Sequence, residues 1–296
     1  MAELYNQISS NKRKTYFLIL GFLIVIAALG YVFGLWMGTS YFGIVLAVFF
    51  GGLYAVISYF AGSRMVLAVT HARKAEKNEF PHLVHTVEGL AIAAGIPTPE
   101  IYVIEDSAIN AFATGMSPQK ASVTFTTGAI QRLNRTELEG VAAHELSHIK
   151  NFDIRVMLLT AVLVGVVVLL SDVMLRSFFY GGGRDNDNKG ALPIILLGLV
   201  LAILAPIFAE LMKLAVSRKR EFLADASGAL LTRYPKGLAD ALKKIRDDKE
   251  PLVEAANKAT AHLFIENPLR KFKGTVNNLF STHPDINERI KKLDAM

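Results

Sequence analysis

The 49 positions from Thr15 to Ser63 carry no charged residue. A helix crosses a bilayer in about 20 apolar residues, so this run holds two spans and a tight turn. The spans fall at Tyr16 to Met37 and Tyr41 to Ala61, turning through Gly38, Thr39 and Ser40. Lys12, Arg13 and Lys14 resemble the basic start of a signal peptide. A signal core, however, is only about 7 to 15 residues long, and here the run is longer and leads straight into another. An uncleaved hairpin over residues 1–63 is therefore expected.

A second apolar pair occupies Val156 to Leu175 and Ala191 to Met212, around a polar, glycine-rich loop from Tyr180 to Gly190. Its later member has 19 uncharged residues, Ala191 to Ala209, whereas the earlier has 16, Val156 to Ser171, before Asp172 and Arg176. A charge near mid-bilayer is costly, so Asp172 should lie at the far interface or face other helices. The pattern predicts a second membrane hairpin over 156–212, with a buried or interfacial hairpin as the alternative. It divides the polar sequence into 64–155 and 213–296.

In the polar segments the period changes. Leu83, Val84, Val87, Leu90, Ala91 and Ala94 recur at helical spacing from Phe80, and Gly95, Pro97 and Pro99 stop that helix. Ile101 to Ile104 and Ser122 to Thr126 are rich in strand formers, and Gly115 to Gln119, between them, has turn chemistry. Asn134 with Glu137 three residues on makes a capping box that opens a helix through Leu138, Val141, Ala142 and His148. The chain after Met212 reads as helices broken by Pro235, Pro251, Pro268 and Pro284.

Composition agrees with a membrane protein: 52% of residues are hydrophobic, 20% are charged, and mean hydropathy is +0.36. There is no cysteine, which excludes disulfides, thiolate metal sites, iron–sulfur clusters and cysteine nucleophiles. The net charge of +6 is explained by where the cations sit. Lys12, Arg13, Lys14, Arg64, Arg73, Lys74, Lys77, Lys150, Arg155, Lys213, Arg218, Lys219 and Arg220 flank the spans on one side, against Arg184 and Lys189 on the other. That asymmetry predicts that both termini and both polar segments face the cytoplasm. No basic patch interleaved with aromatics occurs, so no nucleic-acid partner is expected.

The chemistry concentrates in His144-Glu145-Leu146-Ser147-His148. Imidazoles at i and i+4 share one helical face and can bind one zinc, while the intervening glutamate is offset toward a water on the metal. Zinc lowers the pKa of such a water to about 7, and the carboxylate takes its proton as it attacks a carbonyl. A catalytic zinc needs a third protein ligand; the downstream candidates are Glu210, Glu221, Asp225, His262 and His283. Glu210 ends an apolar segment. Glu221 and Asp225 are an i, i+4 pair of acids on one helix, so one could ligate while the other orients a ligand histidine. Pairing of Glu221 with Arg218 or Lys219 is the plain alternative. His71, His82 and His85 fit no motif.

His144-Glu-Leu-Ser-His148 with Asn151 and Asp153, then a hydrophobic hairpin, then Arg220-Glu221-Phe-Leu-Ala-Asp225, resembles the HtpX family of membrane-bound zinc metalloproteases, related to the CAAX prenyl proteases. Asn110-Ala-Phe-Ala-Thr-Gly115 and His283-Pro284 with Arg289 extend the likeness over nearly the whole chain. The resemblance implies one zinc per subunit, His144, His148 and Glu221 as ligands, Glu145 as catalytic base and Asp225 behind the ligands. It implies that Asn110, Ala111, Phe112, Ala113 and Thr114 belong to an edge strand that holds an extended substrate, and that His283 and Arg289 contact the peptide near its scissile carbonyl. Peptide pairing to such an edge gives affinity with loose specificity.

The whole reads as an α-helical membrane protein with two transmembrane hairpins, about four helices, and an α+β zincin-like metalloprotease domain. The expected activity is endopeptidase cleavage at the cytoplasmic (inner) membrane. The resemblance adds quality control of misfolded membrane proteins as a stress response; processing of a dedicated substrate is the alternative within the enzyme class. A channel or scaffold carrying an inert zinc domain is the rival outside it. Partners are protein or peptide substrates and the lipid bilayer, with self-association through the Gly30, Gly34 and Gly38 stripe as an alternative to packing within the hairpin. If the zinc helix ran on unbroken from His148 to Val156, those eight residues would raise the metal about 12 Å above the membrane.

Overall fold

A computed structural model describes residues 2–36, 38–163, 218–248, 263–265 and 284–296. Most of the expected second hairpin, and with it Glu210, Asp172 and Arg176, lies outside the described residues, as do His262 and His283.

Two long helices, α1 (Ala2–Trp36) and α2 (Ser40–Val69), form the first hairpin. Gly38 turns the chain between them at φ +74, a left-handed value that costs glycine nothing. Arg13–Tyr31 and Tyr41–Val69 are long and apolar enough to cross a membrane. Helix α2 runs past the expected boundary at residue 63 because nothing stops it until Thr70, whose Oγ1 donates to the Val66 carbonyl at 2.9 Å. A Cβ at Gly30 would overlap Ala47 and Gly43, and one at Gly43 would come 2.8 Å from the Gly34 Cα. Gly30 and Gly34 thus serve close approach of α1 to α2 within one chain. Phe42, Phe49, Phe50 and Phe60 point outward, as a lipid-facing surface requires.

The polar unit is built on a four-stranded sheet of β1 (Arg73–Lys74), β2 (Glu100–Ile104), β3 (Ala111–Gly115) and β4 (Ala121–Thr126), in the order β1-β2-β4-β3. Strands β2 and β4 are parallel, while β3 pairs antiparallel to β4 and occupies the edge. Helix α3 (Pro81–Ala94), which Gly95 ends in the left-handed conformation, connects β1 to its antiparallel neighbour β2. Strand β4 alternates apolar Val123 and Phe125 with Ser122, Thr124 and Thr126. Its apolar residues join Ile101, Val103, Ala111 and Ala113 in a core shared with α3 and with α5 (Arg135–Lys150), which follows the short α4 (Thr127–Arg132). Phe112 and Ile104 belong to a second apolar cluster with α1, α2 and Phe264.

At the start of α5 the Asn134 side chain accepts from Glu137 N at 3.0 Å, and Glu137 Oε2 accepts from Asn134 N at 2.8 Å. Helix α5 is buried nearly all round, between the sheet and two later helices, α7 (Arg218–Thr232) and α8 (Pro235–Asp247). A short α9 (Ile286–Asp294) packs against both of those.

The expected continuation of the zinc helix does not occur. Helix α5 ends at Lys150, Asn151 and Phe152 form a turn with Phe152 at φ +60, and a new helix, α6, covers residues 153–163. The reason is visible at Asp153. On an unbroken helix a residue five positions past His148 would sit about 140° round the axis, facing away from that imidazole. The left-handed residue turns Asp153 back toward it, so the 12 Å rise does not apply.

Candidate metal centre

Helix α5 presents His144, Glu145 and His148, and α7 brings Glu221 and Asp225 against them; each of the five is at least 97% buried. The helices can meet there because of Gly228, two turns after Glu221. A Cβ at that position would lie 3.1 Å from the backbone nitrogen of His144.

The Nε2 atoms of the two histidines are 3.2 Å apart, with Glu221 Oε1 3.5 Å from that of His148 and Oε2 3.7 Å from that of His144. Around a tetrahedral zinc with bonds of about 2.0–2.1 Å, ligand atoms lie about 3.3 Å apart, a spacing that the two nitrogens match and that the two carboxylate oxygens, one toward each histidine, approach. Among the described residues they are the one group of histidines and acids close enough to hold an ion.

The far nitrogens are occupied. His144 Nδ1 lies 2.9 Å from Asp225 Oδ1, and His148 Nδ1 lies 3.1 Å from Asp153 Oδ2. A carboxylate on Nδ1 holds that proton there and leaves Nε2 as a lone-pair donor, the tautomer a metal needs. Asp225 is held in turn by Arg289, whose Nε donates to Oδ2 at 2.9 Å and Nη2 to Oδ1 at 2.7 Å. Arg289 is fully buried, lies 3.5 Å from both His144 ring nitrogens, and donates to the Ile265 carbonyl at 3.2 Å.

Electrostatics fit a cation. Burial alone would push the His148 pKa down, but Glu221, Asp153 and Glu145 outweigh it and raise it to about 9. A site that grips a proton this way holds surplus negative charge for a divalent ion to neutralise. Burial also pushes the Glu145 carboxyl upward, aided by Glu221 and opposed by His144, His148 and Arg289, and the net direction is up. For Asp225 burial acts upward too, yet the Arg289 guanidinium and His144 hold the carboxyl well below the usual range.

Residues 111–114 lie in β3, with Asn110 just before it. The Asn110 side chain accepts from Ala111 N at 3.0 Å, and its carbonyl accepts from Thr126 N at 3.1 Å. On the outer side of this edge strand, Ile265 N donates to the Ala111 carbonyl at 2.9 Å, and the Phe264 ring packs edge-on against Phe112 at 5.0 Å between centroids. Three contributors escaped sequence reasoning: Asp153 as the partner of His148, Gly228 as the point of helix contact, and the Leu263–Ile265 segment along β3. Only Asp153 left a trace, as a residue of the family motif with Asn151. His71, His82 and His85 are exposed, away from the centre.

Two imidazoles from one helix, a carboxylate from another, and a glutamate beside the first histidine define a metallopeptidase. The pattern of Peptidase family M48 matches residues 77–296, and the chain belongs to that family. It is 48% identical over 295 residues to a protease HtpX homolog of Dictyoglomus thermophilum, spanning 99% of this chain and 94% of that one. A protease HtpX homolog of Streptococcus gordonii is 42% identical over 299 residues, 99% of this chain and 100% of the other. The crystal structure of S. mikatae Ste24p superposes with a TM-score of 0.50 at 18% identity, over 99% of this chain and 67% of that one, a likeness of fold. With its two apolar helices, the chain is a membrane metallopeptidase.

Proposed function

We propose that the protein is a zinc endopeptidase of the cytoplasmic membrane that cleaves misfolded or loosened membrane proteins. The carrying observation is the convergence of His144 Nε2 and His148 Nε2, 3.2 Å apart, on the Glu221 carboxylate, whose Oε1 lies 3.5 Å from His148 Nε2 and whose Oε2 lies 3.7 Å from His144 Nε2. When bound, zinc supplies Lewis acidity toward the scissile carbonyl and makes water acidic enough to lose a proton near neutral pH. Glu145, with its carboxyl pKa raised, receives the proton of the attacking water and returns it to the departing amine nitrogen. Asp153 and Asp225 keep both imidazoles in the metal-binding tautomer throughout.

An extended peptide adds to β3 alongside Ala111 to Thr114, and pairing along the full strand requires Ile265 to release the Ala111 carbonyl. His283 is the proposed peptide contact near the scissile carbonyl, whereas Arg289 is held on Asp225 behind His144 and acts on the centre through that pair. The cytoplasmic orientation is supported by the basic flanks of the spans. It is supported too by Asn11, which precedes the first span yet bonds to Asp153, so that the start of α1 and the metal centre share one side.

Purified protein should contain one zinc per chain by elemental analysis, less than a tenth of that after Glu221→Gln, and the full amount after Glu145→Gln. Casein hydrolysis should fall by about 10²–10⁴ in the Glu145→Gln protein, the usual contribution of a general base. Hydrolysis that survives both chelation and this substitution would exclude the mechanism.

A further inference from the structure

Asn11 stands in α1 two residues before the candidate span and outside the residues that match the family pattern. Its side chain is only 2% exposed. Nδ2 donates to Asp153 Oδ1 at 2.9 Å and to the Asn151 carbonyl at 3.0 Å, and Arg220 Nη1 donates to Oδ1 at 3.2 Å. Each of these partners leads to a metal ligand. Asp153 carries its other oxygen on His148 Nδ1, Asn151 ends the helix that bears both histidines, and Arg220 precedes Glu221 in the chain. Arg220 also reaches Asp153 Oδ1 at 3.4 Å.

An amide suits this junction. It offers two donors and one acceptor from a neutral group, so it can hold a carboxylate, a carbonyl and a guanidinium at once. A carboxylate here would repel Asp153, and the cations that follow at Lys12, Arg13 and Lys14 could not accept from Arg220.

We propose that Asn11 is a positioning residue of the metal centre: by fixing Asp153 it sets the orientation and tautomer of His148, so that the first membrane helix is a working part of the site as well as an anchor. The inference rests on the reading of His144, His148 and Glu221 as ligands, and it deepens that reading by making metal affinity depend on a residue of the hairpin.

The test uses the full-length protein in detergent micelles, with zinc affinity measured by competition against a chromophoric chelator and apparent Tm measured without metal. Losing an outer partner of a metal ligand weakens binding about 10–100-fold, and Asn11 is one contact further out, so Asn11→Ala should weaken zinc about three- to tenfold. Made on top of Asp153→Asn, the same change should alter Kd by less than about twofold, because its path runs through Asp153. Leu18→Ala, which removes an apolar contact of the same helix, should lower Tm and leave Kd unchanged. If Asn11→Ala does not fold, Asn11→Ser, which keeps one donor, carries the comparison. An unchanged Kd, or an equal loss in both backgrounds, overturns the proposal. A His148→Ala protein that binds zinc as wild type does would overturn the ligand reading itself, and this inference with it.

Discussion

Arg289 and Asp225 are joined by two parallel hydrogen bonds, at 2.9 and 2.7 Å, directly behind His144. Both side chains are buried, and the same carboxylate oxygen serves the guanidinium and the imidazole. Removing one partner of a buried pair leaves the other charge without compensation and costs about 3–5 kcal/mol. Arg289→Met should therefore destabilise the protein by that order, visible as a large drop in apparent Tm. Arg289→Lys should rescue little, because an ammonium cannot make the two-pronged contact. Asp225→Asn keeps the volume but leaves the guanidinium without its main counter-charge, so it should destabilise the protein and also weaken zinc by about tenfold or more. A stable Arg289→Met protein would show that the pair does not hold the centre together.

Gly228 makes a different prediction, about distance. A Cβ there would sit 3.1 Å from the His144 backbone nitrogen and 3.3 Å from the Ala143 carbonyl carbon. Gly228→Ala asks α7 to move by a few tenths of an ångström; Gly228→Val asks for more and must displace Glu221, two turns back on the same helix. Zinc affinity should fall in the order glycine, alanine, valine, while kcat at saturating zinc changes less than affinity in the alanine variant. Equal affinity in all three would mean that α7 is not held by this contact.

How much of this could be read in the chain depends on how local each cause is. The start of α5 was legible because Asn134 and Glu137 satisfy each other's backbone within one turn. Its end was not: the turn rests on Phe152 adopting φ +60, which the residue type itself disfavours and which is accompanied by long-range contacts of Asn151 and Asp153 with Asn11 and of Asp153 with His148. Strand β3 carries small residues and one phenylalanine, too little for a period-2 signal, and it entered the reading through the likeness of Asn110 to Gly115 to a known family segment. Glu221 and Asp225 stood out by their i, i+4 spacing. The contact of Asn11 with Asp153 spans 142 positions, and a lone asparagine ahead of three cations carries no mark of it.

The segment at Leu263–Ile265 lies where an incoming peptide strand is proposed to pair. Ile265 N occupies the Ala111 carbonyl, and Phe264 is buried against Phe112. Phe264→Leu keeps an apolar side chain and gives up the edge-on ring contact, worth about 0.5–1.5 kcal/mol. If the segment competes with substrate, KM for an extended peptide should fall about two- to tenfold with kcat little changed, since about 1.4 kcal/mol corresponds to a factor of ten. A KM that stays fixed while Tm drops would assign the segment to the fold alone.

A last prediction concerns where substrates can be reached. Asn11, two residues before the first candidate span, bonds to Asp153, and Asp153 bonds to His148; two side-chain contacts connect the membrane border to a proposed metal ligand. With α1 entering the bilayer near Arg13, as proposed, the centre would be held close to the membrane without the straight helical riser expected from the sequence. A peptide anchored in the same bilayer by a short flexible linker meets such a site at an effective concentration of order millimolar, which falls roughly as the −3/2 power of linker length once the span is exceeded. At micromolar substrate in proteoliposomes, a tethered peptide should be cleaved at least about tenfold faster than the same sequence released from its anchor, and the advantage should shrink as the linker grows. Equal rates for tethered and released peptide would remove the membrane-proximal site as the source of substrate choice and leave the edge strand as the sole selector.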